Sequence, residues 1–264
     1  ERSPSPQRGV QRWGEGDLSV RVTEEGQDEV ADLSKRFNAS AERIEQLVRS
    51  HKSLLANASH ELRSPLTRIR MGLELMGERP SATAREEISR NIGELDQLID
   101  EILLASRLDA SEADMGTIEP VDLIGLAAEE CAQVNAELDL AEGTDNASLT
   151  VPGVSRLLRR AIRNLLENAR RYGAGEISVE LGSADGFATV RVNDRGPGVP
   201  AALRERIFEP FYRLPGASER NGGVGLGLAL VKSITERHGG SVRCEDRPGG
   251  GASFVIRLPT ARGH

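Results

Sequence analysis

Large apolar side chains recur every three or four residues along the first part of the chain. This spacing places them on one face of a helix, because an α-helix completes a turn in about 3.6 residues. The first stripe consists of Val30, Leu33, Phe37, Ala41, Ile44 and Leu47, and it continues through Leu54, Leu55, Ala58, Leu62, Leu66, Ile69, Leu73 and Met76. The pattern predicts one long amphipathic helix that begins at Asp28 and ends before Arg79-Pro80-Ser81.

A second stripe with the same spacing follows this break. Its members are Ile88, Ile92, Leu95, Ile99, Ile102 and Leu108. Two long amphipathic helices with a short connection form an antiparallel hairpin. A single hairpin leaves its apolar seam half exposed, and burying each Leu or Ile stabilises by roughly 1.5–3 kcal/mol. We therefore predict that residues 49–112 form an all-α hairpin, and that two copies associate into a dimeric four-helix bundle.

Helical periodicity is lost before Pro120, and residues 113–120 are predicted to be a linker. Beyond them, segments with helical spacing alternate with short strand-like segments. Helices are predicted at 122–134, 154–171 and 226–238, strands at 176–182, 187–193, 241–246 and 252–258, and short apolar segments at 137–140 and 148–151. Strands that follow one another directly, mixed with helices, predict an α/β sandwich over residues 121–264, in which helices cover one face of a mixed sheet.

Composition and charge narrow the class of protein. The chain has 264 residues, of which 38% are hydrophobic and 28% charged, as expected for two or three soluble domains. Its net charge of -7 argues against nucleic-acid binding. Cys131 and Cys244 lie far apart, which favours a reducing compartment. There is no signal peptide and no apolar run of about 20 residues. The chain starts at Glu1 rather than Met, so we expect a soluble piece of a longer protein.

The first candidate for chemistry is His60, which lies within the long predicted helix. Glu61 follows it directly, and no second metal ligand lies nearby in sequence. A histidine beside an acid in this setting suggests a nucleophile more than a metal site. Pro65 removes one helical N–H and its ring clashes with the carbonyl of residue 61. We hypothesise that the resulting bend lets a signal shift the helix beside His60.

A second candidate is a pair of asparagines on the helix predicted at 154–171. Asn164 and Asn168 are four residues apart, so they share one helix face. Their amide oxygens suit a hard cation such as Mg²⁺. They would equally suit hydrogen bonds to neighbouring backbone, and the two residues alone leave both interpretations open.

Two glycine-rich segments follow. Asp194, at the end of a strand and before Gly196 and Gly198, could accept a hydrogen bond from an adenine amino group, although the segment could also be only a turn. A further run from Gly222 to Gly227 enters a helix, where exposed backbone N–H groups can bind phosphate. It lacks Gly-Lys-Ser/Thr and is not a P-loop. The aromatic residues between Ile207 and Arg213 could anchor one end of a flexible lid.

Together these segments resemble the sensor histidine kinases of two-component systems. The residues from Ser59 to Thr67 are similar to the phosphoacceptor box of that family. The four segments downstream are similar, in order and spacing, to the nucleotide-binding boxes of its catalytic domain, a Bergerat-type ATP fold. Residues 1–48, with Gly16-Asp17-Leu18, Asp28-Glu29-Val30 and Phe37-Asn38, resemble part of a HAMP signal-relay domain. An ordinary coiled-coil lead-in is the alternative for these residues.

The resemblance implies a reaction and a partner. ATP would phosphorylate His60, and the phosphoryl group would pass to an aspartate on the receiver domain of a response regulator. Glu61 would orient His60 and act as general base, while Arg213 would approach the γ-phosphate. Ser64 stands where relatives often carry a Thr or Asn that positions water for dephosphorylating the partner, so phosphatase activity is also implied.

The resemblance also assigns the nucleotide-binding residues. Asn168, with Asn164, would hold Mg²⁺, and Arg171 and Tyr172 would contact ATP. Asp194 would recognise adenine in a pocket shaped by Gly196 and Gly198. The phosphate lid would consist of Gly223, Gly225, Leu226 and Gly227.

Further expectations concern location and rival functions. The HAMP-like lead-in implies that the chain is the cytoplasmic portion of a bacterial inner-membrane protein. The rival enzyme class is another Bergerat-fold ATPase, similar to gyrase B or a heat-shock chaperone. The rival without activity is a degenerate kinase that acts as a dimeric signalling scaffold. Near the C-terminus, Ala252 stands where many relatives carry Thr, a difference expected to be tolerated.

Overall fold

The computed structural model describes residues 6–24, 29–76, 81–110, 115–144, 149–173, 175–216 and 223–260. Predictions made for Asp28, Arg79, Pro80 and Gly222 lie outside these residues. The chain divides into two units, residues 1–59 and 60–264. No helix in the described ranges is both long and apolar enough to cross a membrane.

The helices and strands agree with the predicted ones to within a few residues. The helices are α1 (Pro6–Gly14), α2 (Glu29–Leu75), α3 (Ala82–Asp109), α4 (Leu123–Val134), α5 (Ser155–Tyr172) and α6 (Gly227–Arg237). The strands are β1 (Glu119–Asp122), β2 (Glu137–Leu140), β3 (Thr150–Gly153), β4 (Ser178–Ala184), β5 (Phe187–Asn193), β6 (Ser241–Asp246) and β7 (Ala252–Pro259). Two features were not predicted: α1, and the start of β1 within the predicted linker.

In the first unit, the connector that follows α1 is held against α2 by contacts between residues far apart in sequence. Asn38 clamps the backbone of Val22, because its amide oxygen accepts from the Val22 N–H at 2.8 Å and its nitrogen donates to the Val22 carbonyl at 2.9 Å. Trp13 of α1 packs edge-on against Phe37, with ring centroids 5.8 Å apart. One aromatic pair therefore fixes a helix that has too few apolar residues to be predicted from its own pattern.

In the second unit, the part of α2 after Ser59 pairs with α3. A Cβ on Gly72 would lie 3.0 Å from the Ile88 side chain, so glycine lets the two helices approach closely. Ser81 caps α3, since its hydroxyl accepts from the Ala84 N–H at 3.1 Å. Pro65 is buried inside α2, which remains one helix. The hairpin is confirmed, while the hinge at Pro65 remains a hypothesis.

The rest of the second unit is the predicted α/β sandwich. Its five-stranded sheet has the order β2-β4-β5-β7-β6, in which β2 and β4 are parallel and the other pairs are antiparallel. Alternate side chains of the central strands are buried, namely Val179 and Leu181 of β4 and Ala188, Val190 and Val192 of β5. The core between this sheet and α4, α5 and α6 positions the ends of β5, α5 and α6 near one another.

His238 fastens the end of α6 to the start of α5. Its Nδ1 lies 2.7 Å from the Ile234 carbonyl oxygen, and its Nε2 accepts from the Val154 N–H at 3.0 Å. Only a neutral ring can serve as donor at one nitrogen and acceptor at the other. Burial lowers the pKa of His238, which favours that neutral form.

Acidification from about pH 7 to about pH 5 is therefore expected to destabilise this domain partly through His238. Stability contributed by the neutral ring is fully present above the ordinary histidine pKa of about 6.5 and is lost as the pH falls through the lower folded-state value. His238→Gln does not titrate, so its denaturation midpoint should fall less over this interval than that of the wild type. An equal pH response in both proteins would contradict this role.

Candidate active site

One cavity of about 880 Å³ in the second unit collects the predicted site residues. The hairpin contributes His60, Glu61 and Ser64, and the α/β domain contributes Asn164, Asn168, Arg171, Tyr172, Asp194, Gly198, Arg213, Gly223, Gly225 and Gly227. Of the predicted residues, Gly196 and Leu226 are not part of its lining. Segments that are far apart in sequence therefore meet around one space.

Gly196 and Leu226 support the site without lining the cavity. A Cβ on Gly196 would lie 2.5 Å from the Tyr172 carbonyl oxygen, so no side chain fits between these segments. Leu226 is fully buried, and its carbonyl accepts from the Leu230 N–H at 2.9 Å in the first turn of α6. Both residues act through packing rather than by facing the cavity.

Asp194 is the buried acid of the site, with only 4% of its surface exposed. Its Oδ1 accepts from the Gly196 N–H at 2.8 Å and from the Ala252 N–H at 3.3 Å. Gly173 and Gly251 pack their backbone against it, since a Cβ on Gly173 would lie 2.8 Å from the Asp194 Cβ. The carboxylate is thus held rigidly by one oxygen, and Oδ2 can accept from a donor in the cavity.

The two asparagines of α5 lie on one face, as predicted. The nitrogen of Asn164 donates to the Gly227 carbonyl at 3.1 Å, which fastens α5 to the start of α6. Asn164 therefore makes a backbone hydrogen bond, which was one of the two interpretations open from the sequence. This bond uses the amide nitrogen and leaves the amide oxygen for another partner. Glu167 also lines the cavity. Sequence analysis overlooked it, although it lies three residues after Asn164 and so shares the same helix face.

One backbone hydrogen bond brings Phe211 and Gly225 together. The Phe211 N–H donates to the Gly225 carbonyl at 2.9 Å, and Phe211 itself adopts a left-handed φ of 63°. Phe208, just before it, is buried against Phe254 of β7, with ring centroids 6.4 Å apart. This contact fixes the Phe208 end of the aromatic segment, while its role as the anchor of a lid stays a prediction.

Gly223 lies beside Arg171 and Tyr172, the two residues predicted to contact the nucleotide. A Cβ there would be 2.7 Å from Nη1 of Arg171 and 2.9 Å from the Tyr172 hydroxyl. Glycine at this position therefore lets the backbone approach both side chains closely.

Two of the predicted catalytic side chains form an ion pair with each other. Nη2 of Arg213 lies 2.8 Å from Oε2 of Glu61, and both side chains are mostly buried, with 25% and 32% of their surface exposed. His60, the residue before Glu61, is exposed. The pair joins α2 to the segment between β5 and α6.

A second ion pair, between Glu101 and Arg160, joins the hairpin to α5 and was not predicted from the sequence. Glu101 is buried in α3, where it accepts from Gln97 at 3.2 Å and from Arg160 at 3.0 Å. Burial raises the pKa of the Glu101 carboxyl above its ordinary value, and both of these partners oppose the shift. Glu101 lies on a buried α3 face with Leu98 and Leu108.

Three family models match the chain and together cover most of it. They are the HAMP domain over residues 7–46, the His Kinase A (phospho-acceptor) domain over residues 50–111, and the histidine kinase-, DNA gyrase B- and HSP90-like ATPase over residues 153–262. The chain belongs to the sensor histidine kinases. The phosphoacceptor match separates this kinase from gyrase-like and chaperone-like ATPases, and the first match favours HAMP over an ordinary coiled coil.

Curated relatives agree with this assignment. Sensor protein RstB of Escherichia coli K12 is 37% identical over 256 residues, which are 95% of this kinase and 58% of RstB. Sensor histidine kinase CpxA of the same strain is 35% identical over 243 residues, 89% of this kinase and 53% of CpxA. This chain thus spans between half and three fifths of the length of these two relatives.

Solved structures agree in fold. Histidine kinase ThkA in complex with response regulator protein TrrA matches with a TM-score of 0.65 and 24% identity, over 89% of this kinase and 68% of that chain. Histidine kinase AdeS of Acinetobacter baumannii matches with a TM-score of 0.62 and 20% identity, over 77% and 98%. The hairpin followed by a mixed α/β domain is therefore the fold of known histidine kinases.

Asp194→Asn is expected to lower the affinity of the kinase for ATP about 10- to 100-fold, equivalent to about 1.4–2.8 kcal/mol. The amide replaces one carboxylate oxygen by an N–H₂ group, which opposes a donor such as the adenine amino group. Titration with a non-hydrolysable ATP analogue measures the change. Asp185→Asn, in the turn between β4 and β5 at a φ of 52° that Asn also tolerates, is the matched control. Equal affinities for the two variants would contradict the role of Asp194.

Proposed function

We propose that this chain transfers the γ-phosphoryl group of ATP to His60 and then to an aspartate on the receiver domain of a response regulator. One observation carries the proposal: His60 lines the same cavity as the residues expected to bind the nucleotide. Phosphoryl transfer needs alignment and charge stabilisation more than covalent help from the protein. A cavity shared by acceptor and nucleotide site supplies the alignment.

In this proposal the nucleotide binds between β5, α5 and the start of α6. Asp194 accepts from the adenine amino group, while Arg171 and Tyr172 contact the nucleotide beside Gly223. The phosphates lie at the N-terminus of α6, where Gly225 and Gly227 keep the backbone accessible. The N-cap residue Leu226 has no side-chain capping hydrogen bond, so the first N–H groups of the helix can bind phosphate oxygens.

Asn168 and Asn164 would hold Mg²⁺. Two amide oxygens on one face of α5, with the Glu167 carboxylate beside them in the cavity, match the all-oxygen ligands that this ion takes. When bound, the ion neutralises charge on the phosphate oxygens. The chain's own part is to present these oxygens from a helix fixed by the Asn164 bond to Gly227.

The reacting groups are His60, Glu61 and Arg213. A neutral ring nitrogen of His60 forms the bond to the γ-phosphorus, and the bond from phosphorus to the leaving oxygen of ADP breaks. The proton on the other ring nitrogen passes to Glu61, which acts as general base. Glu61 is first released when Arg213, now 2.8 Å from it, exchanges the carboxylate for the more highly charged γ-phosphate. Binding of ATP would thereby free the base that the reaction requires.

We propose that the kinase acts as a homodimer through residues 49–112. Several large apolar side chains of the hairpin are exposed in the single chain, namely Leu66, Leu73, Ile92, Ile99 and Leu103. Burying each of them against a second copy would stabilise the dimer by roughly 1.5–3 kcal/mol. A four-helix bundle of two hairpins is the arrangement that does this.

The other parts of the chain fit a signalling role. We propose that residues 1–48 relay a signal as a HAMP segment, that residues 113–120 link the hairpin to the catalytic domain at 121–264, and that the whole is the cytoplasmic portion of an inner-membrane sensor. The connector held by Asn38 supports the first of these assignments.

Incubation of the protein with γ-labelled ATP and Mg²⁺ tests the proposal. Phosphohistidine is labile in acid and stable in alkali, so the expected result is a label on the protein with both properties. Released phosphate without a protein label would favour an ATPase of another family. Neither label nor released phosphate would favour an inactive scaffold.

A further inference from the structure

Arg68 connects the two helices of the hairpin directly below the phosphoacceptor. It lies on α2 one turn after Ser64 and two turns after His60. Its Nη1 donates to the Ser64 hydroxyl at 3.1 Å. Its Nε donates to the Asn91 amide oxygen at 2.6 Å, and its Nη2 donates to Glu94 at 2.6 Å, both on α3.

The geometry of this contact is fixed from several sides. The nitrogen of Asn91 donates to the Glu87 carbonyl at 2.7 Å, which turns the amide oxygen of Asn91 towards Arg68. A guanidinium is planar and its N–H groups point in fixed directions. With Nε and Nη2 bound to α3, the direction in which Nη1 reaches Ser64 is therefore also fixed.

Stability is a poor explanation for this arrangement. The side chains of Arg68 and Glu94 are 49% and 51% exposed, and an ion pair this exposed contributes little to folding. The consequence lies at Ser64 instead. Its oxygen accepts from Arg68 with one lone pair, so the second lone pair and the hydroxyl hydrogen remain available to other partners.

We propose that Arg68 is a positioning residue, which holds the Ser64 hydroxyl to orient a water molecule for dephosphorylating the response regulator. The inference rests on the proposed function. Ser64 accepts a hydrogen bond from the water, and the water oxygen bonds to the phosphorus. The bond from phosphorus to the aspartyl oxygen breaks, the carboxylate keeps the electron pair, and both hydrogens of the water leave with the phosphate. Both side chains are exposed on the helix, where a partner can reach them.

A double-mutant cycle on the full chain tests this role. The proteins are the wild type, Ser64→Ala, Arg68→Met, Arg68→Lys and the double variant Ser64→Ala/Arg68→Met. The probe is a purified receiver domain that accepts the phosphoryl group from this kinase, phosphorylated beforehand with phosphoramidate. Arg70→Met is the matched control, because Arg70 lies two residues further along α2, is exposed, and pairs only loosely with Glu74 at 3.8 Å.

Arg68→Met is expected to lower kcat for phosphate release about 10-fold or more while KM changes less than about twofold. The double variant should be no slower than Ser64→Ala, because both substitutions remove the same hydrogen-bonded hydroxyl arrangement. Arg68→Lys should recover part of the rate. Its ammonium can reach Ser64 or Glu94, but it cannot make all the contacts of the planar guanidinium at once. Arg70→Met should match the wild type.

Other outcomes would overturn the inference. Additive losses would mean that Arg68 acts on something other than Ser64, and a raised KM with unchanged kcat would mean that it docks the partner. Full phosphate release by Ser64→Ala, or none by the wild type, would also overturn it, whereas the labelling of His60 tests the proposed kinase separately. If Arg68→Met melts at a lower temperature than the wild type, its loss of rate could come from lost stability. Arg68→Lys keeps the charge, so the partial recovery of its rate then becomes the deciding measurement.

Discussion

His60→Gln is expected to abolish the acid-labile label that γ-labelled ATP places on the protein, a loss of at least about 10³-fold. Glutamine is close to histidine in size, but its amide nitrogen is not a nucleophile. His60 is exposed, so the fold should keep its stability within about 0.5 kcal/mol. Binding of an ATP analogue should be nearly unchanged, which would separate loss of the acceptor from loss of the nucleotide site.

His51→Gln is the control for this experiment. It makes the same substitution earlier on α2, at a residue that is not part of the cavity lining. Its labelling should equal that of the wild type. An acid-labile label that persisted on His60→Gln would place the acceptor elsewhere and would refute the proposed role of His60.

Gly251→Ala is expected to destabilise the α/β domain by about 2–5 kcal/mol. Gly251 has a φ of 103°, and a Cβ there would overlap the Asp194 carbonyl oxygen and lie 2.8 Å from its carbonyl carbon. Backbone strain of about 1–2 kcal/mol adds to an overpacking cost of about 1–3 kcal/mol. Because the clash is with the backbone of Asp194, affinity for ATP should fall as well.

Gly249→Ala separates the two contributions. Gly249 has a similar φ of 88°, but nothing lies within 4 Å of a Cβ placed there. It should therefore show the strain alone. Denaturant unfolding of both variants, with ATP-analogue titration of the folded proteins, measures the difference. If both unfolded at the same denaturant concentration, the close packing behind Asp194 would be refuted.

Where a signal is local, the sequence predicted the structure well. The strand β5 was predicted at its observed bounds, because its alternate residues are apolar and turn residues flank it. The helix α5 was predicted to within a residue, since its apolar stripe is strong. The site residues were proposed because glycines, asparagines and an acid occur in a distinctive order. The cavity brings most of them together, while their roles remain predictions.

The features that were missed depend on residues far away in the chain. Glu101 reads as a solvent-exposed charge, and only Arg160 of α5 explains why it is buried in α3. The strand β1 is too short to recognise until it pairs with β3. Likewise, no local pattern relates Arg213 to Glu61, because the contact depends on how the domain folds back on the hairpin.

The Arg213–Glu61 ion pair has a thermodynamic consequence beyond catalysis. In the proposed exchange, ATP and the phosphoacceptor helix compete for one guanidinium, so nucleotide affinity and helix position are linked. Linkage is reciprocal: if a signal moves Glu61 away from Arg213 and so raises ATP affinity by some factor, ATP must favour that signalled position by the same factor. The nucleotide level in the cell would then act as a second input to the sensor, read through the same two side chains.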